Sequence, residues 1–169
     1  MNLKPSTMWM VWMGVNPQPS HSNEPLGSMP WHLTNYFKCH GIEPNGSFEW
    51  DGCGFTPIQT IHIVDGFRFM PSYGLMITAP SGKRVFYTGD SQHAPSQLQK
   101  FYDMADYIFQ DCETAPYYSK VHAHYDDLKT LNAPTKAKMG LVHCQDDPVQ
   151  DPFAEGFAGF VEKGDEFEF

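Results

Sequence analysis

Three residues of the kinds that bind divalent cations each stand at the end of a short apolar stretch. His62 lies near the end of one such stretch, Asp90 follows VFY and a turn, and His143 follows MGLV. A single histidine or aspartate in such a place is more often part of a turn or a satisfied core. Three of them offer the nitrogen and oxygen ligands that zinc or manganese-like ions accept. The pattern therefore predicts a metal site where these strand ends converge.

The prediction centres on residues 83–91, KRVFYTGDS. The VFY sequence within it is typical of a buried strand, and Gly89 allows the backbone to turn sharply after that strand. The turn would present Asp90 at the carboxyl end of the strand. Ligands of open α/β sheets collect at this edge, so a carboxylate there is well placed to meet histidines from neighbouring strands.

Alternating apolar residues and turn signals predict the elements that position these side chains. Asp51-Gly52 and PSGK are typical of hairpin turns. A helix followed by an apolar strand favours an α/β layer over an all-β sandwich. The predicted elements are strands at 55–64, 72–78 and 84–88, a helix at 94–104, a short strand within 105–114 that ends in Asp111 and Glu113, a helix capped by Asp126 or Asp127 and running through Leu128 and Leu131, a strand at 139–142, and a terminal hairpin or edge pair within 156–169.

Residues 1–30 carry the least information. The apolar run MWMVWM at residues 8–13 should be buried against another part of a fold, whereas NPQPSHSNEP breaks regular structure. Residues 31–38 fit a short amphipathic helix. His21 and His32 have no partners at ligand spacing and are better explained as surface or loop histidines.

Composition limits the classes of protein to consider. The 169 residues suffice for one domain with one core, and the formal charge of −9 argues against a nucleic-acid coat or a membrane-surface protein. No apolar run approaches the roughly 18 to 20 residues of a membrane span, and no secretory signal is recognisable. The spacing of the four cysteines matches neither a zinc knuckle nor a disulfide scaffold, which favours reduced thiols in a cytoplasmic protein. Cys144, beside a histidine, is better explained as a structural thiol than as an extra ligand.

The ordered motifs resemble the second half of the metallo-β-lactamase fold over residues 47–169. The motifs that carry the resemblance are TIHIVDG, SYGLMI, VFYTGDS, ADYIFQDCET, VHAHYDDL and KMGLVHCQD. The resemblance implies an α/β fold, a partial αββα sandwich with a mixed sheet and flanking helices. It also implies that residues 1–46 form a separate segment that packs on a half of the fold not present here.

The tRNase Z-like and phage anti-Pycsar-like phosphodiesterase branch is the most similar part of that superfamily. By resemblance, His62, Asp90 and His143 match its metal ligands, Asp111 matches the acid that ends the next strand, and His122 or His124 matches a histidine near the scissile phosphate. The resemblance implies two divalent ions, zinc or alternatively manganese, and hydrolysis of a small phosphodiester such as a 3′,5′-cyclic nucleotide. The candidates for stacking on a base are Tyr117, Tyr118 and Tyr125.

The superfamily signature H-x-H-x-D-H has no match before His62. HAHYDD at residues 122–127 imitates it but follows Asp90, so we interpret it as a substrate-facing loop. The alternative is a permuted site in which His122, His124 and Asp126 bind metal. The chain is therefore expected to carry half of a site, as a fragment, as a decayed copy, or as a split-gene product. A complementary polypeptide or a second copy would complete the site. The remaining alternatives are a lactonase-type hydrolase and a non-catalytic binding or structural remnant of the fold.

Overall fold

The structure, a computed structural model, describes residues 40–43 and 45–169. The chain divides into two units, residues 1–46 and residues 47–169, and the second contains every helix and strand described below. The sequence-based predictions for residues 8–13 and 31–38, and for His21 and His32, lie outside the described residues.

In the described part of the chain, seven strands form one mixed sheet in which every strand lies beside its neighbours in sequence. Strands β1 to β4 pair antiparallel, and β4 to β7 pair parallel. The strands are β1 (Phe48–Trp50), β2 (Cys53–Asp65), β3 (Arg68–Thr78), β4 (Arg84–Tyr87), β5 (Tyr107–Asp111), β6 (Met139–Val142) and β7 (Gly159–Phe160). The helices are α1 (Pro95–Met104), α2 (Tyr125–Leu128) and α3 (Ala133–Lys136).

Tight turns join the antiparallel strands. Asp51 and Gly52 between β1 and β2 have φ of 50° and 77°, the left-handed conformation at both central positions that a type I′ hairpin turn requires. This confirms the turn expected from the Asp-Gly pair. Parallel strands need crossover connections, and α1 supplies the one between β4 and β5.

One face of the sheet packs on the helices and forms the core. Phe86, Ile108 and Leu141, from β4, β5 and β6, are fully buried there, together with Leu98 and other helix residues. Met139 and Leu141 of the core alternate along β6, which is what burial of one face of a strand requires. The α/β class expected from the sequence is confirmed by this arrangement.

Two predicted elements differ from the observed ones. Helix α2 is a single turn whose N-cap is His124, whose ring accepts a hydrogen bond from the Asp126 backbone, so neither Asp126 nor Asp127 caps it. The tail forms no hairpin: β7 pairs with β6 at the edge of the sheet, and Phe167 and Phe169 contact the aromatic rings of β5 in tilted and T-shaped geometries. Phe-x-Phe alternation directs both rings to one side, and contact with β5 replaces pairing within the tail.

No helix in the described part of the chain has the length and apolar character that a bilayer span needs.

Gly89 forms the turn that carries the chain from β4 to Asp90. Its φ is +63°, and a Cβ at this position would lie 2.7 Å from the backbone oxygen of Tyr73 on β3. We expect Gly89→Ala to lower the free energy of unfolding by more than about 2 kcal/mol, since left-handed backbone alone costs an L-residue about 1–2 kcal/mol and the contact with Tyr73 adds to it. Urea denaturation measures the change.

Gly82 is the matched control for this substitution. It also has a left-handed φ, +85°, but a Cβ there would meet nothing within 4 Å. Gly82→Ala should therefore show the backbone cost alone. Equal losses in the two variants would mean that the close approach of Tyr73 does not constrain the turn.

Candidate functional site

The side chains of five polar residues meet at the carboxyl edge of the sheet. Strand β2 is two antiparallel pairings away from β4, so β2, β4, β5 and β6 all run in the same direction and end on this edge. The residues brought together are His62, Asp90, Asp111, His122 and His143. The His62 and His122 ring centroids are 5.2 Å apart, those of His122 and His143 are 4.6 Å apart, and Asp90 Oδ1 is 3.6 Å from His143 Nδ1.

A β-bulge directs His62 toward the site. Ile61 pairs with Pro71 and Ile63 with Met70, so His62 is an extra residue with no partner on β3. Pro71 has no N–H to contribute to the ladder, which makes this a favourable place for a bulge. The His62 ring then lies against His122, and its Nδ1 is 2.8 Å from the backbone oxygen of Val121.

The segment that carries Asp90 is held on both sides. The Thr88 hydroxyl accepts a hydrogen bond from the Asp111 backbone at 2.9 Å, and the Ser91 backbone donates to the Asp111 carboxylate at 2.8 Å. The Gln92 side chain donates to the backbone oxygen of the bulged histidine on β2 at 2.6 Å. These bonds fix the backbone on either side of Asp90 while its carboxylate stays half-exposed.

Asp111 lies on the buried side of the cluster and contacts two of its histidines. Its side chain is 1% exposed, one carboxylate oxygen lies 2.7 Å from His122 Nδ1, and the other lies 3.0 Å from His143 Nδ1. Burial raises the pKa of Asp111 above its usual value. The hydrogen bonds from Ser91 and His122 and the nearby histidines lower the pKa, but they offset only part of the effect of burial. A buried carboxylate that accepts so many hydrogen bonds fixes the rings it touches more firmly than an exposed one.

Tyr87, at the end of β4, is a neutral neighbour of the site. Burial raises the pKa of its hydroxyl, and the charges of Asp90 and Asp111 raise it further.

His143 adopts a strained backbone conformation directly after β6. Its φ is 65°, a region that residues other than glycine seldom occupy, and such strain costs of order 1–3 kcal/mol. The turn brings the ring back over the carboxylates, where Nδ1 contacts Asp111 and lies near Asp90. Strain of this kind persists where the surrounding structure enforces it, and it clusters at functional sites.

The three histidines share one hydrogen-bond arrangement. In each ring Nδ1 faces an oxygen: the backbone oxygen of Val121 for His62, and the carboxylate of Asp111 for His122 and His143. Nδ1 then carries the proton, and Nε2 keeps its lone pair. Metal-binding histidines are oriented in this way by oxygen acceptors behind them.

The site can therefore hold a divalent cation. Asp111, His122 and His143 each offer a ligand atom, and these atoms lie within 4.8 Å of one another. Mixed imidazole and carboxylate donors suit zinc and similar ions. His62 and Asp90 border this cluster. The ligands predicted from the sequence therefore lie beside the cluster and have His143 in common with it.

His124 occupies a different environment from His122. Its Nε2 lies 2.9 Å from the Ala115 backbone oxygen, its Nδ1 accepts from the Asp126 backbone, and Tyr118 stacks on the ring at 3.8 Å. The ring is almost fully buried. Both nitrogens of His124 are thus engaged in holding the loop and starting α2, so the imidazole that faces the carboxylates belongs to His122.

The cysteines nearest the site are thiols of the core. Cys112 is fully buried directly after Asp111, and the hydrogen bond with Cys144 together with burial raises the pKa of its thiol. Both are free cysteines, and Cys144 packs against the core cluster. A neutral thiol is a poor metal ligand, which agrees with a structural role.

The sequence alone did not reveal the bulge at His62 or the double contact of Asp111. Pro71, which pairs with the residue before His62, was the available signal for the bulge. An acid at the end of a buried strand pointed to Asp111, but its distances to histidines 11 and 32 residues away depend on strand pairing.

Comparison with known proteins identifies the kind of fold. A protein family described as "Anti-Pycsar protein Apyc1" matches residues 18–167. The metallo-β-lactamase fold protein YhfI from Bacillus subtilis has a similar structure, with a TM-score of 0.50 and 22% identity over 75% of this chain and 51% of that chain. This chain thus spans about half the length of YhfI, and the metallo-β-lactamase fold class expected from the sequence is confirmed.

More distant similarities connect the chain with two other structures. A diphosphatase from the PhnP family has a TM-score of 0.48 and 20% identity, covering 66% of this chain and 40% of that one. Unliganded yeast PDE1 has a TM-score of 0.46 and 13% identity, covering 73% and 45%. No curated protein sequence matches the chain.

Proposed function

The chain belongs to the family described as Anti-Pycsar protein Apyc1, and from this premise we propose that it hydrolyses a 3′,5′-cyclic nucleotide with the help of two divalent metal ions. The observation that carries the proposal is the contact of one buried carboxylate, Asp111, with both His122 and His143. Asp90 and His62 border this cluster. The arrangement supplies metal ligands and an oriented imidazole at the same sheet edge.

His62, Asp90 and His143 would hold the metal, zinc or alternatively manganese. The hydrogen bonds at Nδ1 leave Nε2 of both histidines as the ligand atom, and the half-exposed Asp90 carboxylate is accessible to an ion. Bound divalent ions lower the pKa of water toward about 7 and neutralise charge on a phosphate. These residues therefore fit the cofactor that the family implies.

His122 would act on the phosphate, and Asp111 would position it. With Nδ1–H held by the carboxylate, Nε2 of His122 can accept a proton; the Asp111 charge stabilises the resulting imidazolium, which can then donate that proton to the substrate. His122 is 21% exposed and can reach a ligand. His124 would support this role indirectly, by holding the loop that carries His122.

A small nucleotide suits the charge of the protein better than a long nucleic acid. The formal charge is −9, which would repel an extended polyanion, whereas metal ions reverse the local field at one site. We further propose that residues outside this cluster complete the metal site, supplied by a complementary polypeptide or by a second copy.

The test is an assay of metal binding and hydrolysis. The 169-residue chain is incubated with Zn²⁺ or Mn²⁺ and 3′,5′-cyclic nucleotides, alone and with a polypeptide carrying the H-x-H-x-D-H half of a homologous protein. We expect weak metal binding by the chain alone and hydrolysis when the partner half is present. A chelator should abolish that hydrolysis, since the nucleophile depends on the metal.

Two results would contradict the proposal of an incomplete metal-dependent phosphodiesterase site. Absence of both metal binding and hydrolysis, with every phosphodiester tested, would favour a non-catalytic module. Tight binding of two ions by the chain alone, measured by calorimetry, would instead favour ligation by His122, His124 and Asp126.

A further inference from the structure

A groove of about 450 Å³ runs beside the candidate site. One wall is formed by residues 114–117, which follow β5, and the other by residues 145–150, which follow β6. The loops begin three residues after Asp111 and two after His143, so the groove starts within roughly 7–11 Å of chain from the site. A second hollow, lined by His143 itself, shares residues 145–148 with the groove. The loop that follows His143 therefore borders both the groove and the hollow at the site.

Tyr117 is the tyrosine that can contact a ligand in this groove. It lines the groove, and its side chain is 67% exposed. Tyr118 already stacks on His124 with an interplanar angle of 19°, and Tyr125 is buried in the core, where its hydroxyl donates to the Asp151 backbone. Of the three tyrosines that the sequence suggested for stacking, Tyr117 alone combines exposure with a place on the groove wall.

Two glutamine side chains give the groove a fixed polar edge. Gln145 Oε1 accepts hydrogen bonds from the backbone and the hydroxyl of Thr114, so its amide nitrogen is the group it can offer to a ligand. Gln150 Nε2 donates to the Thr114 backbone oxygen at 3.1 Å, and Gln150 Oε1 is buried with no hydrogen-bond partner among the described residues. Gln150 thus helps to fix the wall, and the amide nitrogen of Gln145 is the glutamine group open to a ligand.

We propose that this groove binds the base of the nucleotide substrate, with Tyr117 stacked on the ring and the Gln145 amide at its edge. The occupant follows from the shape and chemistry of the groove: mostly apolar walls, one exposed aromatic ring, one amide donor, and the carboxylates of Asp146 and Asp147 as acceptors. Its volume lies in the range of small-molecule sites. Stacking accepts any base, so Tyr117 contributes affinity more than discrimination between bases. The inference rests on the proposed phosphodiesterase function.

The experiment compares Tyr117→Ala with the unchanged chain in calorimetric titrations and hydrolysis assays. The ligands are cyclic CMP, cyclic AMP, and the abasic analogue 1-O-methyl-ribose 3′,5′-cyclic phosphate, each with Zn²⁺ or Mn²⁺ and the complementary half present. Tyr117→Ala should weaken binding of both nucleotides at least about fivefold, as loss of one base stack does. Binding of the abasic analogue should stay unchanged.

Tyr118→Ala is the matched control, because it removes a neighbouring tyrosine that faces His124. It should leave the ratio of nucleotide to abasic affinity unaltered even if it lowers the thermal midpoint. The base-binding groove would be overturned if Tyr117→Ala weakened the binding of nucleotides and of the abasic analogue equally. It would also be overturned if Tyr118→Ala weakened the binding of nucleotides alone. Neither result would contradict the proposed hydrolysis. If nucleotides bind in a manner that depends on Tyr117 but are not hydrolysed, the proposed activity is wrong and the proposed base-binding groove is supported.

Discussion

Asp111→Asn is expected to lower kcat for a cyclic nucleotide by at least about 100-fold, within the range that a general acid or base contributes. The substitution keeps the shape of the side chain but removes the charge and one of two acceptors. Asparagine cannot accept from both Ser91 and His143, because one of its two atoms is now a donor. His122 then loses the carboxylate that orients its ring and stabilises its charged form.

Stability should fall in the same variant by about 1–3 kcal/mol, the cost of leaving a buried polar group unpaired. The metal content of the same samples shows whether Asp111 positions His122 or is itself a metal ligand. If Asp111 positions His122, the metal remains and turnover falls. If the metal is lost as well, Asp111 is itself a ligand, as the 4.8 Å cluster with His122 and His143 would allow.

The matched control is Asp106→Asn, just before β5 at the end opposite the site. The Asp106 carboxylate accepts a hydrogen bond from the Arg84 backbone at 2.8 Å and is half-exposed. Its replacement should leave kcat unaltered. An equal loss of turnover in both variants would mean that Asp111 acts through the fold and not through the site.

Asp90→Ala is expected to abolish hydrolysis, with a loss beyond about 10³-fold, and to leave the fold intact. A ligand that anchors divalent ions supports several kcal/mol of charge stabilisation, and each 1.36 kcal/mol is worth about tenfold in rate. The side chain is 52% exposed, and its carboxylate lies 3.6 Å from His143 Nδ1, so the unfolding free energy should change by less than about 0.5 kcal/mol. The measurements are kcat, metal affinity by calorimetry, and urea denaturation.

Asp103→Ala provides the comparison, since it removes another exposed carboxylate, on α1, whose hydrogen bond to Gln99 is local. It should bind metal and turn over substrate as the unchanged chain does. Retained hydrolysis in Asp90→Ala would place the metal elsewhere. Loss of activity accompanied by unfolding would show that the turn after β4 depends on this carboxylate for its structure.

The contrast between the two variants follows from burial. Asp111 is enclosed and multiply hydrogen-bonded, so its replacement affects both stability and catalysis. Asp90 lies at the surface of the same cluster, so its replacement should affect the chemistry alone. A site built in this way keeps its ligands accessible and its orienting group protected from water.

The sequence by itself determined the local structure and the identity of the strand ends. Apolar stretches bounded by Gly, Pro and Asp defined the strands, and Asp51-Gly52 fixed a hairpin turn because both positions require left-handed backbone. Asp90 and His143 were recognisable because His143 directly follows such a stretch and Asp90 follows one after the turn at Gly89. The motif order was enough to predict the fold class and the family.

The tertiary structure decided which side chains meet. In the His122-Ala-His124 sequence both histidines look alike, but one faces Asp111 and the other caps α2. The bulge at His62 and the turn at His143 likewise arise from pairing and packing with residues distant in sequence. Local patterns fix backbone conformation within a few residues, whereas the environment of a side chain is set by long-range contacts that spacing does not encode.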